Sequence, residues 1–81
     1  MFTEAIRTVY TLTTQYVGKN FYVDVVVSTD GLSFESWIYT SDYGIKMLMF
    51  GGRCDNVREA LDLTRGNFKV YADAYFDEII D

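Results

Sequence analysis

The sequence predicts an α+β domain, a three-stranded antiparallel meander with helices packed on it, in the order α-β-β-β-α-α. Three observations carry that expectation. Apolar residues recur at helical spacing near the start of the chain. A two-residue alternation fills the middle and breaks at an Asp-Gly pair. A capping signature then opens an amphipathic stretch that runs to the end. With no proline, repeat or linker-like run in its 81 residues, the whole span 1–81 reads as one domain.

The elements follow in order. Phe2, Ile6, Val9, Thr13 and Tyr16 recur at helical spacing, with Thr3 as a cap, Glu4 at the positive end and Gly18 as a terminator, so a first helix is expected there. The β-branched Thr11, Thr13 and Thr14 argue against it. Phe21, Val23, Val25 and Val27 then alternate with Tyr22, Asp24, Val26 and Ser28 up to a Thr29-Asp30-Gly31 turn. That is the signature of a hairpin. The returning strand sets Leu32, Phe34, Ser36 and Ile38 against Ser33, Glu35, Trp37 and Tyr39. After the polar loop 40–44, a third strand is expected from Ile45 to Phe50.

Past Gly51 and Gly52, Asn56 and Glu59 have capping-box spacing. Val57, Ala60, Leu61 and Thr64 give a short helix an inner stripe, and Gly66 closes it. Asn67 then caps a last helix. There Phe68, Ala72, Tyr75, Phe76 and Ile79 form the apolar side, while Lys69, Asp73, Asp77 and Asp81 recur every four residues on another.

Composition bounds the chemistry. The chain has 49% hydrophobic and 17% aromatic residues, enough to fold, and no apolar run of membrane-spanning length or secretory-signal pattern. A cytoplasmic protein of a host cell, without membrane association, is expected. The single cysteine, Cys54, suits a reducing compartment. The absence of histidine removes the commonest general base and transition-metal ligand, and Gly51-Gly52-Arg53 is not a phosphate loop. Asp24 and Glu35, on one face of neighbouring strands, lack the cleft that a carboxylate pair needs for glycoside hydrolysis. Ser41-Asp42 and Asp55-Asn56 do not amount to a calcium loop. No enzyme activity, cofactor or metal is expected.

Two features point to binding instead. Twelve acidic residues against seven basic ones give a net charge of −5. This disfavours direct contact with nucleic acid and favours a basic partner. From Val70 onward the charges are all acidic, Asp73, Asp77, Glu78 and Asp81, in a row that opposes the helix dipole and repels itself. The bland alternative is a solvated helix face. The second feature is the outer side of the hairpin, where Tyr22, Asp24, Val26, Glu35, Trp37 and Tyr39 share one face if Phe21, Val25, Phe34 and Ile38 point to the core. Tyr and Trp are frequent energetic centres of interfaces.

An acidic chain of this element order, with acids beside aromatics as in Tyr75-Phe76-Asp77-Glu78, resembles phage-encoded anti-CRISPR proteins. The resemblance implies a DNA-mimicking inhibitor, from a phage or mobile element, that occupies the nucleic-acid-binding surface of a CRISPR effector nuclease. Its acids would replace phosphates at Arg and Lys of that basic nucleic-acid-binding protein. Anti-restriction DNA mimics share the acidic character. The order without its last helix also resembles the double-stranded-RNA-binding domain, but the basic residues of that module are missing. Such an inhibitor is expected to be monomeric or dimeric; the alternative is a structural or assembly protein that uses Tyr22, Trp37 and Tyr39 for homo-oligomer or partner contacts.

Overall fold

The computed structural model describes residues 7–80. It forms a four-stranded antiparallel sheet with one long helix on one face: β1 (Thr8–Tyr16), β2 (Lys19–Val27), β3 (Ser33–Thr40), β4 (Met47–Arg53) and α1 (Val57–Tyr75), which runs into a π-helical turn (Phe76–Ile80). The strands lie in chain order β1-β2-β3-β4. The α+β class stands, but the order is β-β-β-β-α, and the predicted α-β-β-β-α-α is corrected at three places.

The first correction is at the beginning. Thr8–Tyr16 is a strand paired with β2 from Thr8↔Val27 to Tyr16↔Lys19, where a helix was expected. Its β-branched Thr8, Val9, Thr11, Thr13 and Thr14, with Tyr10 and Tyr16, suit a pleated surface better than a helix. Val17 and Gly18 have φ of 49° and 76°, which makes a two-residue type I′ turn. The glycine that looked like a helix terminator does its work in a hairpin, because both roles require the same left-handed backbone. The proposed cap Thr3 and its neighbours Phe2, Glu4 and Ile6 lie outside the described residues.

The second correction concerns the third predicted strand. It begins at Met47 rather than Ile45 and runs on through Gly51 and Gly52. Its register against β3 shifts between Ser36 and Trp37, a bulge that brings Phe50 opposite Ser36 and Leu48 opposite Trp37. Gly51 is sterically required: a Cβ there would lie 2.9 Å from the Phe34 carbonyl oxygen.

The third correction joins two helices into one. The cap forms as expected: Asn56 Oδ1 accepts from the Glu59 amide at 2.9 Å, and Glu59 Oε2 accepts from the Asp55 amide at 3.0 Å. The helix does not stop at Gly66, however. Ala60, Thr64, Ala72 and Tyr75 are buried along one side, with Phe68 packed between them, so the inner stripe keeps its phase across the glycine. Ending the helix would forfeit that burial, whereas an interior glycine costs about 1 kcal/mol. Asn67 caps nothing; its side-chain amide donates to the Leu63 carbonyl at 2.8 Å.

The β2–β3 hairpin stands where the alternation put it, with Val27↔Phe34 and Phe21↔Thr40 as its end pairs. Phe21, Val23, Val25, Val27, Phe34 and Ile38 are buried beneath α1, and Leu61 is half-buried against them. Phe21 is the centre of an aromatic cluster, 5.5–6.4 Å from the rings of Tyr16, Phe68, Tyr75 and Phe76. Such edge-to-face contacts add to the area they bury. Polar links also join the helix to the rest of the core: the Tyr75 hydroxyl donates to the Ile45 carbonyl at 2.6 Å, and Thr64 meets Ser36. The Thr64 hydroxyl donates to the Ala60 carbonyl at 2.8 Å, so its remaining contact, Ser36 Oγ at 2.7 Å, is donated by Ser36. No described helix is long and apolar enough to cross a membrane.

Candidate protein interface

The helix covers one side of the sheet only, since α1 packs against β2 and β3 on the face that carries Phe21 and Val25. Strand alternation sends the next residues the other way. Tyr22, Val26, Glu35, Trp37 and Tyr39 are half-buried on that side, and Leu48, paired with Trp37, remains 49% exposed. Four of the residues singled out in the sequence, Tyr22, Glu35, Trp37 and Tyr39, therefore lie together on this open face.

At its centre sits Asp24, only 8% exposed. Three donors surround its carboxylate: the Thr11 hydroxyl at 2.8 Å, the Lys46 ammonium at 2.9 Å and the Tyr39 hydroxyl at 3.2 Å. Burial alone would raise the carboxyl's pKa, but the hydrogen bonds from Lys46 and Thr11, the Lys46 charge and the Tyr39 bond together hold it below its ordinary value. Burial, with the Asp24 charge, pushes the Tyr39 phenol up, and the bond to Asp24 raises the Lys46 ammonium. Lys46 also lies over the Tyr39 ring, 5.0 Å from its centroid, and Tyr39 stacks on Tyr22 at 5.4 Å. Toward one side, Arg7 meets Glu35 at 3.5 Å. Asp24 and Glu35 each hold a separate cation, so they do not form an acid–base pair. The charges of this face are paired within it: the side chains of Arg7, Glu35 and Lys46 stay 57%, 40% and 52% exposed at its margins, with Tyr22, Val26, Trp37, Tyr39 and the exposed Leu48 between and beside them.

The acidic residues form a different arrangement. Asp73, Asp77 and Glu78 are exposed at the end of the helix and its π turn; Asp81 lies outside the described residues. Asp73 accepts a hydrogen bond from the Tyr16 hydroxyl at 2.7 Å, which ties the helix end to β1. That contact, with burial and the Asp73 charge, raises the Tyr16 phenol. Asp77 and Glu78 have no ion-pair partner among the described residues. The structure does not bring these acids to the aromatic face.

Sequence reading missed Thr11, Lys46 and Leu48 as members of the open face. Thr11 was hidden by the helix expected at the start, and Lys46 reaches Asp24 from just ahead of β4, a contact with no local signature. Asp42 and Asn56, the loop oxygen donors, are engaged by Lys19 at 3.1 Å and by the helix cap. Cys54 is buried, and its thiol is pushed up by burial and by Glu59 and Asp55, the opposite of an activated nucleophile. Comparison of the chain with protein families, curated proteins and solved structures found no match.

Proposed function

We propose that the protein is a non-enzymatic binding module that engages another protein through the uncovered face of its sheet, with Trp37 and Tyr39 as the centre of the contact. The observation that carries the reading is the pairing of charge on that face. Asp24 is enclosed by Thr11, Tyr39 and Lys46, the exposed Arg7, Glu35 and Lys46 are each held in an ion pair, and the aromatic side chains stand between those pairs. A surface with an apolar centre and satisfied charges loses little on desolvation, which suits it to protein contact.

A second reading is favoured by Asp77 and Glu78, which are exposed without cationic partners among the described residues. They could face the Arg and Lys of a nucleic-acid-binding protein, as in an anti-CRISPR inhibitor that acts by acidic mimicry. The element order that supported this resemblance is not that of the chain, so charge alone supports it. Salt separates the two. Partner capture by wild type, Trp37→Ala and Asp77→Lys/Glu78→Lys, compared at low and high ionic strength, tests both. The sheet reading expects Trp37→Ala to lose the partner while the charge variant and high salt leave it bound. Retention by a folded Trp37→Ala, with loss in the charge variant, would transfer the function to the helix end.

A further inference from the structure

The two edges of the sheet are built differently. β4 is the shorter one, interrupted by the bulge beside Ser36 and Trp37, weakened by Gly51 and Gly52 and ended by Arg53. Bulges, glycines and charges are the usual means by which a sheet edge is kept from pairing. β1 has none of them. It is nine residues long, its pairing with β2 is regular throughout, and Thr8–Tyr16 contains no charged residue, glycine or proline.

The turn fixes which backbone groups this edge offers. A two-residue hairpin closes on a hydrogen-bonded pair, here Tyr16 and Lys19, and such pairs alternate along the ladder. Tyr10, Leu12 and Thr14 thus direct their N–H and C=O toward β2. Val9, Thr11, Thr13 and Gln15 direct theirs away, and no described strand lies there. The short side-chain bond from Thr11 to Asp24 is the close approach expected of the pairs that do not share backbone bonds.

We infer that β1 is the docking edge for a second copy of this chain, joined antiparallel about a two-fold axis at Leu12. Only one symmetric register uses all four outward residues: Val9 opposite Gln15 of the other copy and Thr11 opposite Thr13, each pair repeated by symmetry and exchanging two backbone hydrogen bonds. Two Leu12 side chains then face each other on the helix side of the sheet. They have room there. α1 packs over β2 and β3, leaving beside β1 a groove of about 350 Å³ lined by Leu12, Thr14, Val23 and Phe68 among others, so the apolar floors of two grooves meet at the axis. Electrostatics selects the same edge. The chain carries −5 overall, but β1 carries no charge and its neighbour Arg7 is engaged by Glu35. The other charges nearest the edge are Asp73, bonded to the Tyr16 hydroxyl at one end of β1, and Arg65 at the groove, and the strand between them is neutral.

The test is the mass in solution, by light scattering or sedimentation across a micromolar concentration series. Wild type should be a dimer. Thr13→Pro removes an N–H that faces away from β2 and should halve the mass while leaving the circular dichroism unchanged. Should proline disturb the hairpin, Thr13→Lys, whose side chain lies on the open face and would stand near its own copy across the axis, makes the same measurement with the ladder intact. Leu12→Cys fixes the register: non-bonded antiparallel partners have Cα atoms about 4.5 Å apart, within disulfide range, so mild oxidation should give a covalent dimer that Tyr10→Cys does not. Trp37→Ala should keep the wild-type mass, which separates this edge from the open face. A wild-type monomer throughout the series, a dimer that survives both Thr13 variants, or a dimer dissolved by Trp37→Ala would each overturn the inference.

Discussion

Neighbouring residues of the β2–β3 hairpin share one backbone and one ladder but live under opposite rules. On the helix side, Phe21, Val25, Ile38, Ser36 and Thr40 are fully enclosed, and a neutral hydroxyl pair, Ser36 with Thr64, links the hairpin to the helix. On the open side, one residue away at every step, Asp24 is nearly as enclosed but is ionised, held by three donors from three different parts of the chain. The difference is one of compensation: the buried stripe of α1, Ala60, Thr64, Ala72 and Tyr75, excludes water but brings no cation, whereas the uncovered face admits the long side chain of Lys46.

The largest expected effect breaks that comparison directly. Val25→Asp puts an unpaired carboxylate under the helix and should abolish cooperative unfolding, since its cost of several kcal/mol is comparable with the total stability of a small domain. Val26→Asp, the adjacent position on the open face, should melt within about 1 kcal/mol of wild type. Similar losses in the two variants would mean that the two faces are not distinct environments.

Asp24→Ala is the next in size. It removes a charged acceptor from Lys46, Thr11 and Tyr39 and should cost about 1–3 kcal/mol. The pH dependence has a defined sign. The folded carboxyl sits below its ordinary 3.8, so the unfolded chain takes up the proton first on acidification. The stabilisation is present above pH 3.8 and is lost as pH falls through the folded value. Thermal melts from pH 6 to pH 2 should therefore fall less steeply in Asp24→Ala than in wild type; parallel curves would show that the site does not couple protonation to folding. On the alkaline side, the raised Tyr39 and Lys46 add stability below their ordinary values that is lost as pH rises through the folded ones.

The smallest effect has the opposite direction. The Thr40 hydroxyl is buried with no hydrogen-bond partner among the described residues, so Thr40→Val replaces it with a methyl group of the same shape and should raise stability by about 1 kcal/mol in chemical denaturation. A loss instead would show that the hydroxyl is satisfied in solution.

How much of this was legible depended on whether the signal was local. The parity of β2 and β3 could be read because a two-residue alternation has one physical meaning when an Asp-Gly turn follows it, and it correctly put Tyr22, Glu35, Trp37 and Tyr39 on one side. The Asn56 cap was legible for the same reason. β1 was not, since Val9, Thr13 and Tyr16 satisfy a helical spacing by coincidence and Gly18 serves either structure. Gly66 misled because its local preference is real, but the stripe from Ala60 to Tyr75, packed against the sheet, outweighs it. The ion pairs of the open face depend on strand registry that no segment of sequence specifies alone.

The irregularity of β4 also bears on stoichiometry. A protein whose sheet had two regular edges would add copies at both ends and grow into a fibre, as steric-zipper assemblies do. With the register shift at Ser36 and Trp37 and the close approach of Gly51 to Phe34, the far edge offers no comparable row to a third chain. If copies pair at β1, growth has nowhere to continue at β4, and the same few residues that make β4 a poor strand would keep the assembly finite.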